Sequence, residues 1–266
     1  MATEKEFPTE QIRNIAILGH SGAGKSTLVD ALCYTAGSNR RKVADGGIPL
    51  TVTTPEEVAH GISIQVTPAR AEWMGTRLNL LDTPGYQDFA ADARAAVQVA
   101  DAAVIVLPAT AGVEVGTERA WGWCEDRCLP RILFVSMLDR ESTSFEGVFR
   151  EIRERLAPKV IPVEIPIGEG ADFRGIINLF SERAHLYRPG SDTGEYDEGD
   201  IPEELQERFQ EWETELQETL ATTDETLLEH YLEGGHISRE EAIEGMARAM
   251  ARGELVPLFC GSARTG

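Results

Sequence analysis

The segment Gly19-His20-Ser21-Gly22-Ala23-Gly24-Lys25-Ser26 constrains this chain more than any other. It fits the pattern GxxxxGK[ST], follows the apolar run Asn14–Leu18 and opens a helix-like stretch at Lys25. Strand, glycine-rich loop and helix in that order form a phosphate cradle. The glycines let backbone N–H groups converge on phosphate oxygens, and the helix start adds positive potential. Lys25 would bridge a β- and a γ-phosphate, and the Ser26 hydroxyl would bind Mg²⁺, with Thr27 beside it in the binding set. A chance glycine-rich turn is the alternative, and the strand–loop–helix context weighs against it.

A second segment strengthens the first. Asp82-Thr83-Pro84-Gly85 ends the run Arg77–Leu81. An aspartate there would hold Mg²⁺ through water, and the Gly85 N–H would bond the γ-phosphate. Alone, the four residues also read as a turn. Ser63 closes a polar segment just before the next β-like run and is a candidate to complete the Mg²⁺ shell, although it also reads as a solvated serine. Asp139 follows the run Ile132–Val135. A carboxylate can accept from guanine N1–H and N2–H₂ but meets an acceptor on adenine N1; a helix-capping role is its plainer reading. Gly261-Ser262-Ala263, after the last apolar run, would offer backbone N–H groups to guanine O6.

The remaining texture is that of an α/β protein. Short apolar runs at Asn14–Leu18, Ala69–Met74, Arg77–Leu81, Ala102–Leu107 and Arg131–Val135 alternate with helix-like segments at Lys25–Thr35, Asp88–Val99, Gly116–Glu125 and Phe145–Leu156. That rhythm predicts a mostly parallel sheet covered by helices on both faces. Gly75-Thr76 predicts a hairpin between the second and third runs. Residues 36–62, rich in glycine and proline, read as a long functional or mobile loop. After Ala157 prolines punctuate short β-like runs, and Phe173–Leu179 reads as a strand. Pro189–Asp200 reads as an acidic loop. A helix is expected from Pro202, with Leu205, Phe209, Trp212, Leu216 and Leu220 on one face. Two shorter helices are expected near Glu225–Leu232 and Ser238–Arg252 before the run Leu255–Cys260. The expected domains are therefore 1–159 with 255–266, and an inserted α+β subdomain, 160–254.

Charge is uneven. The chain of 266 residues carries a formal net charge of −20. Residues 157–256 hold 24 Asp/Glu against 8 Lys/Arg, so the acid is concentrated in the expected insertion. Binding to DNA or RNA through bulk charge is excluded. The four cysteines are too few for a disulfide framework and read as buried or semi-buried thiols. No apolar stretch reaches the length of a membrane span, and the N-terminus has no secretory pattern, so the cytoplasm is the expected location.

Taken in order, these segments resemble the translational GTPases, and elongation factor G in particular. Further matching stretches are Gly112–Trp121 (GVEVGTERAW), Ile165-Pro166-Ile167-Gly168, Asp200–Leu205 (DIPEEL), Tyr231-Leu232-Glu233-Gly234 and Cys260-Gly261-Ser262-Ala263. The likeness covers nearly the whole chain and implies a P-loop GTPase fold. Four positions depart from the family. The histidine that orients the attacking water is Tyr86, the pattern found in elongation factor G-like paralogues. The base motif Asn-Lys-x-Asp is Ser136-Met137-Leu138-Asp139, and serine is not expected to reproduce the amide's contacts with base and phosphate loop. The phosphate-loop aspartate is Gly22, and the switch threonine is Ser63.

The resemblance implies GTP and GDP as ligands, Mg²⁺ as cofactor, and Lys25, Gly85 and Tyr86 as the residues nearest hydrolysis. It implies the ribosome as partner, with the stalk proteins near the insertion, and no membrane or DNA partner. It also implies that this chain is a monomeric piece of a longer protein, ending before the domain's last helix. Two alternatives stay open: a nucleotide-gated binding module with little or no hydrolysis, and relaxed base specificity admitting ATP.

Overall fold

The computed structural model describes residues 6–40, 43, 47–157, 159–188, 190–191 and 194–264. Pro189, where the expected acidic loop opens, lies outside these, as do Gly46 and Pro158 of the glycine- and proline-rich stretches.

The alternation of apolar residues builds the main sheet. Its strands are β1 (Ile12–Leu18), β2 (Thr67–Trp73), β3 (Thr76–Asp82), β4 (Ala102–Pro108), β5 (Arg131–Ser136), β6 (Val160–Pro162) and, from the far end of the chain, β11 (Val256–Cys260). Their order is β2-β3-β1-β4-β5-β11-β6. All neighbouring pairs are parallel except the hairpin β2–β3, which turns at Met74-Gly75. Successive residues of a strand face opposite sides. On one side Ile17 and Val106 pack with Leu28, Val29 and Cys33 of α1 (Lys25–Thr35). On the other, Ala16, Leu18, Ile105 and Leu107 pack with α3 (Ala90–Val99) and α4 (Val115–Asp126). α5 (Phe145–Arg155) closes the same side, buried through Phe145, Val148, Phe149 and Ile152.

The expected loop 36–62 contains a short helix, α2 (Pro55–His60). Thr54 and Glu57 form a capping box at its start, and Gly61 ends it with φ +63.

The second sheet is antiparallel, in the order β10-β9-β8-β7, from β7 (Glu164–Ile167), β8 (Gly175–Asn178), β9 (Arg183–Tyr187) and β10 (Tyr196–Gly199). Three helices follow: α6 (Gln206–Ala221), α7 (Glu225–Leu232) and α8 (Arg239–Ala251). Pro202 precedes a single 3₁₀ turn rather than starting α6 itself. Of the expected apolar face, Leu216 and Leu220 are buried, and Trp212 meets Phe149 of α5 edge-on at 4.8 Å between ring centres.

Three expectations are corrected. Val160–Pro162 pairs with β11, so these residues belong to the main sheet and the boundary at 160 falls too early. Tyr196–Gly199 is a strand, not loop; its polar sequence hides it because it pairs on one edge only. Cys128 is exposed, whereas Cys33, Cys124 and Cys260 are buried. Cys128 terminates the helix-to-strand turn with φ +48, a position that points outward.

Candidate nucleotide-binding site

Parallel strands deliver their C-terminal ends to one edge, where ligands of α/β folds bind. The loops after β1, β3, β5 and β11 leave that edge together. They carry, in order, residues 19–24, Thr83–Tyr86, Met137–Asp139 and Gly261–Ala263.

The phosphate loop closes on α1. Gly24 has φ +90 and caps the helix with no side-chain hydrogen bond, and the first turn holds no acidic residue. A helix start left in that state has N–H groups ready for an anion. Gly19 has φ +140, and a Cβ there would lie 2.3 Å from the Val106 carbonyl oxygen, so only glycine fits. The loop borders a cavity of about 390 Å³, lined also by Lys25, Ser26, Thr27, Ser63, Gly85 and Tyr86.

Lys25 donates from Nζ to the His20 carbonyl at 2.7 Å. It is buried, and burial lowers its pKa to about 8 against the opposing pull of Asp82 and Glu114. Ser26 Oγ and Ser63 Oγ lie 3.2 Å apart. Asp82, the last residue of β3, is 1% exposed. Its Oδ2 accepts from the Thr51 hydroxyl at 2.5 Å, while Oδ1 has no hydrogen-bond partner among the described residues. Burial pushes its carboxyl pKa up, opposed by the Thr51 and Ser26 hydroxyls and by Lys25. Gly85 lies against the loop: a Cβ on it would meet Lys25 Nζ at 2.5 Å and the Ser21 nitrogen at 2.6 Å. Thus Lys25, Ser26, Ser63, Asp82 and Gly85, distant in sequence, share one small volume.

The other end of the site is built from β5 and β11, paired so that Val135 faces Cys260. Gly261 N–H donates to the Val135 carbonyl at 3.0 Å. Ser262 is buried and its Oγ accepts from Arg264 N–H at 3.1 Å; Ala263 is half-buried. The Asp139 side chain is 12% exposed, with Arg264 Nη1 3.9 Å from Oδ2.

A family model for the elongation factor Tu GTP binding domain matches residues 10–266. Elongation factor G of Thermotoga maritima is 37% identical over 256 residues, 96% of this chain and 37% of that protein. The chain belongs to the translational GTPases. The elongation factor G of Thermotoga sp. (strain RQ2) shows the same 37% identity. A crystal structure of a Thermus thermophilus protein matches with a TM-score of 0.88 at 36% identity, over 96% of this chain and 38% of that one. The chain therefore spans a little over a third of the length of the curated relatives it matches.

Within this translational GTPase domain, one of the expected losses is corrected. The side-chain chemistry of Ser136 predicts a lost contact with the phosphate loop. Instead Ser136 is buried, and its hydroxyl lies 2.8 Å from the Ala23 carbonyl and 3.2 Å from that of Leu107. It donates its single proton to the nearer, so serine ties β5 to the phosphate loop. Met137 sits at φ +63 with its Cε beside Gly24, on the wall of the cavity. Tyr86 is 44% exposed at the cavity mouth. Gly22 has φ +78 with open space around it, so backbone shape rather than crowding favours glycine there.

Sequence reading missed the buried Asp30 and Glu57 that anchor residues 36–64, and the contacts that Thr83 and His20 make. Asp30 of α1 accepts from Asn39 Nδ2 and from the N–H groups of Val43 and Leu50. Glu57 is fully buried; burial raises its pKa, but the N–H groups of Ile64, Thr53 and Thr54 outweigh this and hold it low. Thr83 Oγ1 donates to the Ile17 carbonyl at 2.7 Å. His20 Nδ1 accepts from Gly116 N–H at 3.2 Å, and a Cβ on Gly116 would meet the His20 backbone at 2.6 Å. The spacing Thr54-Pro55-Glu56-Glu57 is a capping-box signal that could have revealed Glu57. Nothing local marks Thr51 or Asp30.

Proposed function

We propose that this chain is the GTP-binding and GTP-hydrolysing domain of an elongation factor G-like protein, acting in the cytoplasm on the ribosome as a nucleotide-dependent switch. The observation that carries this reading is the convergence of the uncapped α1 start, Lys25, Ser26, Ser63 and Asp82 on one cavity. Residues 19–27 would cradle the phosphates. Asp139, with the loop 261–263, would read guanine, and Ser136 and Met137 would position the loop rather than the base.

The donor set fits Mg²⁺. Two hydroxyls lie 3.2 Å apart, and a buried carboxylate oxygen is left without a partner among the described residues. Hard oxygen donors of this kind suit that cation, with Ser26 and Ser63 as ligands and Asp82 acting through water. Bound there, Mg²⁺ would supply charge neutralisation on the phosphates. Lys25 adds a second positive charge. Gly85 would present its N–H to the terminal phosphate, and the Tyr86 hydroxyl would orient the attacking water. Turnover without the ribosome should be slow, because an exposed tyrosine positions water loosely. The insertion, with 24 acidic against 8 basic residues across 157–256, offers a docking face for basic segments of the stalk proteins, although a solvated surface explains the same charge.

A second reading, a binding module with little hydrolysis, is favoured by Tyr86 standing where the family has histidine. Two measurements test these. In a competition titration with Mg²⁺, guanine nucleotides should outbind ATP by about a hundredfold (roughly 2.7 kcal/mol); comparable ATP binding would remove the guanine assignment. Phosphate release by the full-length protein should rise with ribosomes; triphosphate left intact after long incubation would leave only the binding module.

A further inference from the structure

One contact ties the long loop to the metal-site carboxylate at a point separate from Ser63. Thr51 is 2% exposed and donates its hydroxyl to Asp82 Oδ2. The other oxygen, Oδ1, is buried and has no hydrogen-bond partner among the described residues. A carboxylate held through one oxygen has its remaining lone pairs aimed in a fixed direction, and the orphaned oxygen is then the one offered to a ligand. The loop is well placed to hold this geometry. Asp30 fixes its start through the Val43 and Leu50 N–H groups, and Glu57 fixes its end through the Thr53, Thr54 and Ile64 N–H groups. Thr51 lies between the two anchors, and Ser63 lies next to Ile64.

We infer that Thr51 is a positioning residue: its hydroxyl orients the Asp82 carboxylate so that Oδ1 serves the hydrated Mg²⁺ of the nucleotide complex. This rests on the Mg²⁺ reading given above and deepens it. The loop then meets the metal at two places, through Ser63 and, one bond removed, through Thr51 and Asp82. A valine at 51 keeps the shape and removes the donor; a serine keeps the donor and loses a methyl.

The test is the release rate of a fluorescent GDP from the full-length protein at graded free Mg²⁺ and in excess chelator. In the unsubstituted protein Mg²⁺ should slow release. Thr51→Val should raise the Mg²⁺ needed for half of that effect roughly tenfold, the value of one hydrogen bond to a charged group. Thr51→Ser should stay within about threefold of the original. In chelator all three proteins should release GDP at the same rate, since the role acts through the metal. Equal Mg²⁺ requirements for Thr51→Val and the original protein would overturn the inference while leaving the Mg²⁺ reading intact. So would a lower requirement in Thr51→Val, which would make Thr51 a competitor of the metal. Faster release of Thr51→Val in chelator would reduce Thr51 to a loop-packing residue. Release indifferent to Mg²⁺ in the original protein would overturn both readings together.

Discussion

The backbone N–H of Gly170 donates to the carbonyl of Leu138 at 2.8 Å. Leu138 precedes Asp139 in the loop expected to read the base, and Gly170 opens the turn that joins β7 to β8 in the second sheet. Next to it, Glu169 Oε1 accepts from the Phe145 N–H at 2.9 Å, at the start of α5. The connection between β7 and β8 thus supports both the loop that carries Asp139 and the start of α5.

Glu169→Ala should therefore do two things. Loss of one partner at the α5 start should cost about 1 kcal/mol of stability, read by urea denaturation. Guanine-nucleotide affinity should fall a few-fold, read by fluorescent GDP titration. Lower stability with unchanged affinity would show that the insertion supports the domain but not the base loop.

Gly85→Ala puts a methyl where Lys25 Nζ and the Ser21 nitrogen already stand. The Thr83–Tyr86 turn must then move away from the phosphate loop. GTP binding should weaken by about tenfold or more, with GDP affected less because it lacks the terminal phosphate. Paired GTP and GDP titrations would decide it; equal losses would argue for a general collapse of the loop.

Ser136→Ala removes the proton that the Ala23 carbonyl accepts. Leaving a buried carbonyl unpaired should cost about 1–3 kcal/mol. The expected loss is in stability first, measured without nucleotide, and in phosphate binding second. A neutral substitution would mean that the hydroxyl does not hold the phosphate loop.

Glu164 gives a pH signature. Burial raises its pKa from 4.5 to about 7, opposed by the Cys260 N–H and Asn178. A raised folded-state pKa means the contribution to stability is fully present below about 4.5 and is lost as pH rises through about 7. The loss should be on the order of 2 kcal/mol, given that the side chain is only partly buried. Glu164→Gln should flatten that fall and leave the protein more stable than the original at pH 8. Denaturation midpoints from pH 5 to 8 would show it; parallel curves for the two proteins would refute the burial argument.

The parts of the fold carried by apolar alternation were open to reading from sequence: β1, β4, β5, β11 and the helices between them. So were Gly19, Lys25 and Asp82, because a phosphate loop needs fixed residue types at fixed spacing. What escaped reading has a common cause. β10 is polar, since it lies at a sheet edge; β6 was legible as a short β-like run, but three residues cannot announce that it pairs with β11 in the main sheet. Thr51, Asp30 and Glu57 act across the fold, with partners that sequence spacing does not announce. Ser136 misleads when read from its side-chain chemistry alone, because its position behind Ala23 lets a hydroxyl make the contact.

The place of β11 has a consequence for synthesis. It is the last strand among the described residues, yet it lies between β5 and β6, and residues 163–255 are made before it emerges. A growing chain holds an open slot in its sheet until residues 256–260 arrive. The loop after that strand carries Ser262 and Ala263, which we propose to read the base. Nucleotide should then bind the nascent chain only after residues 256–263 have left the exit tunnel.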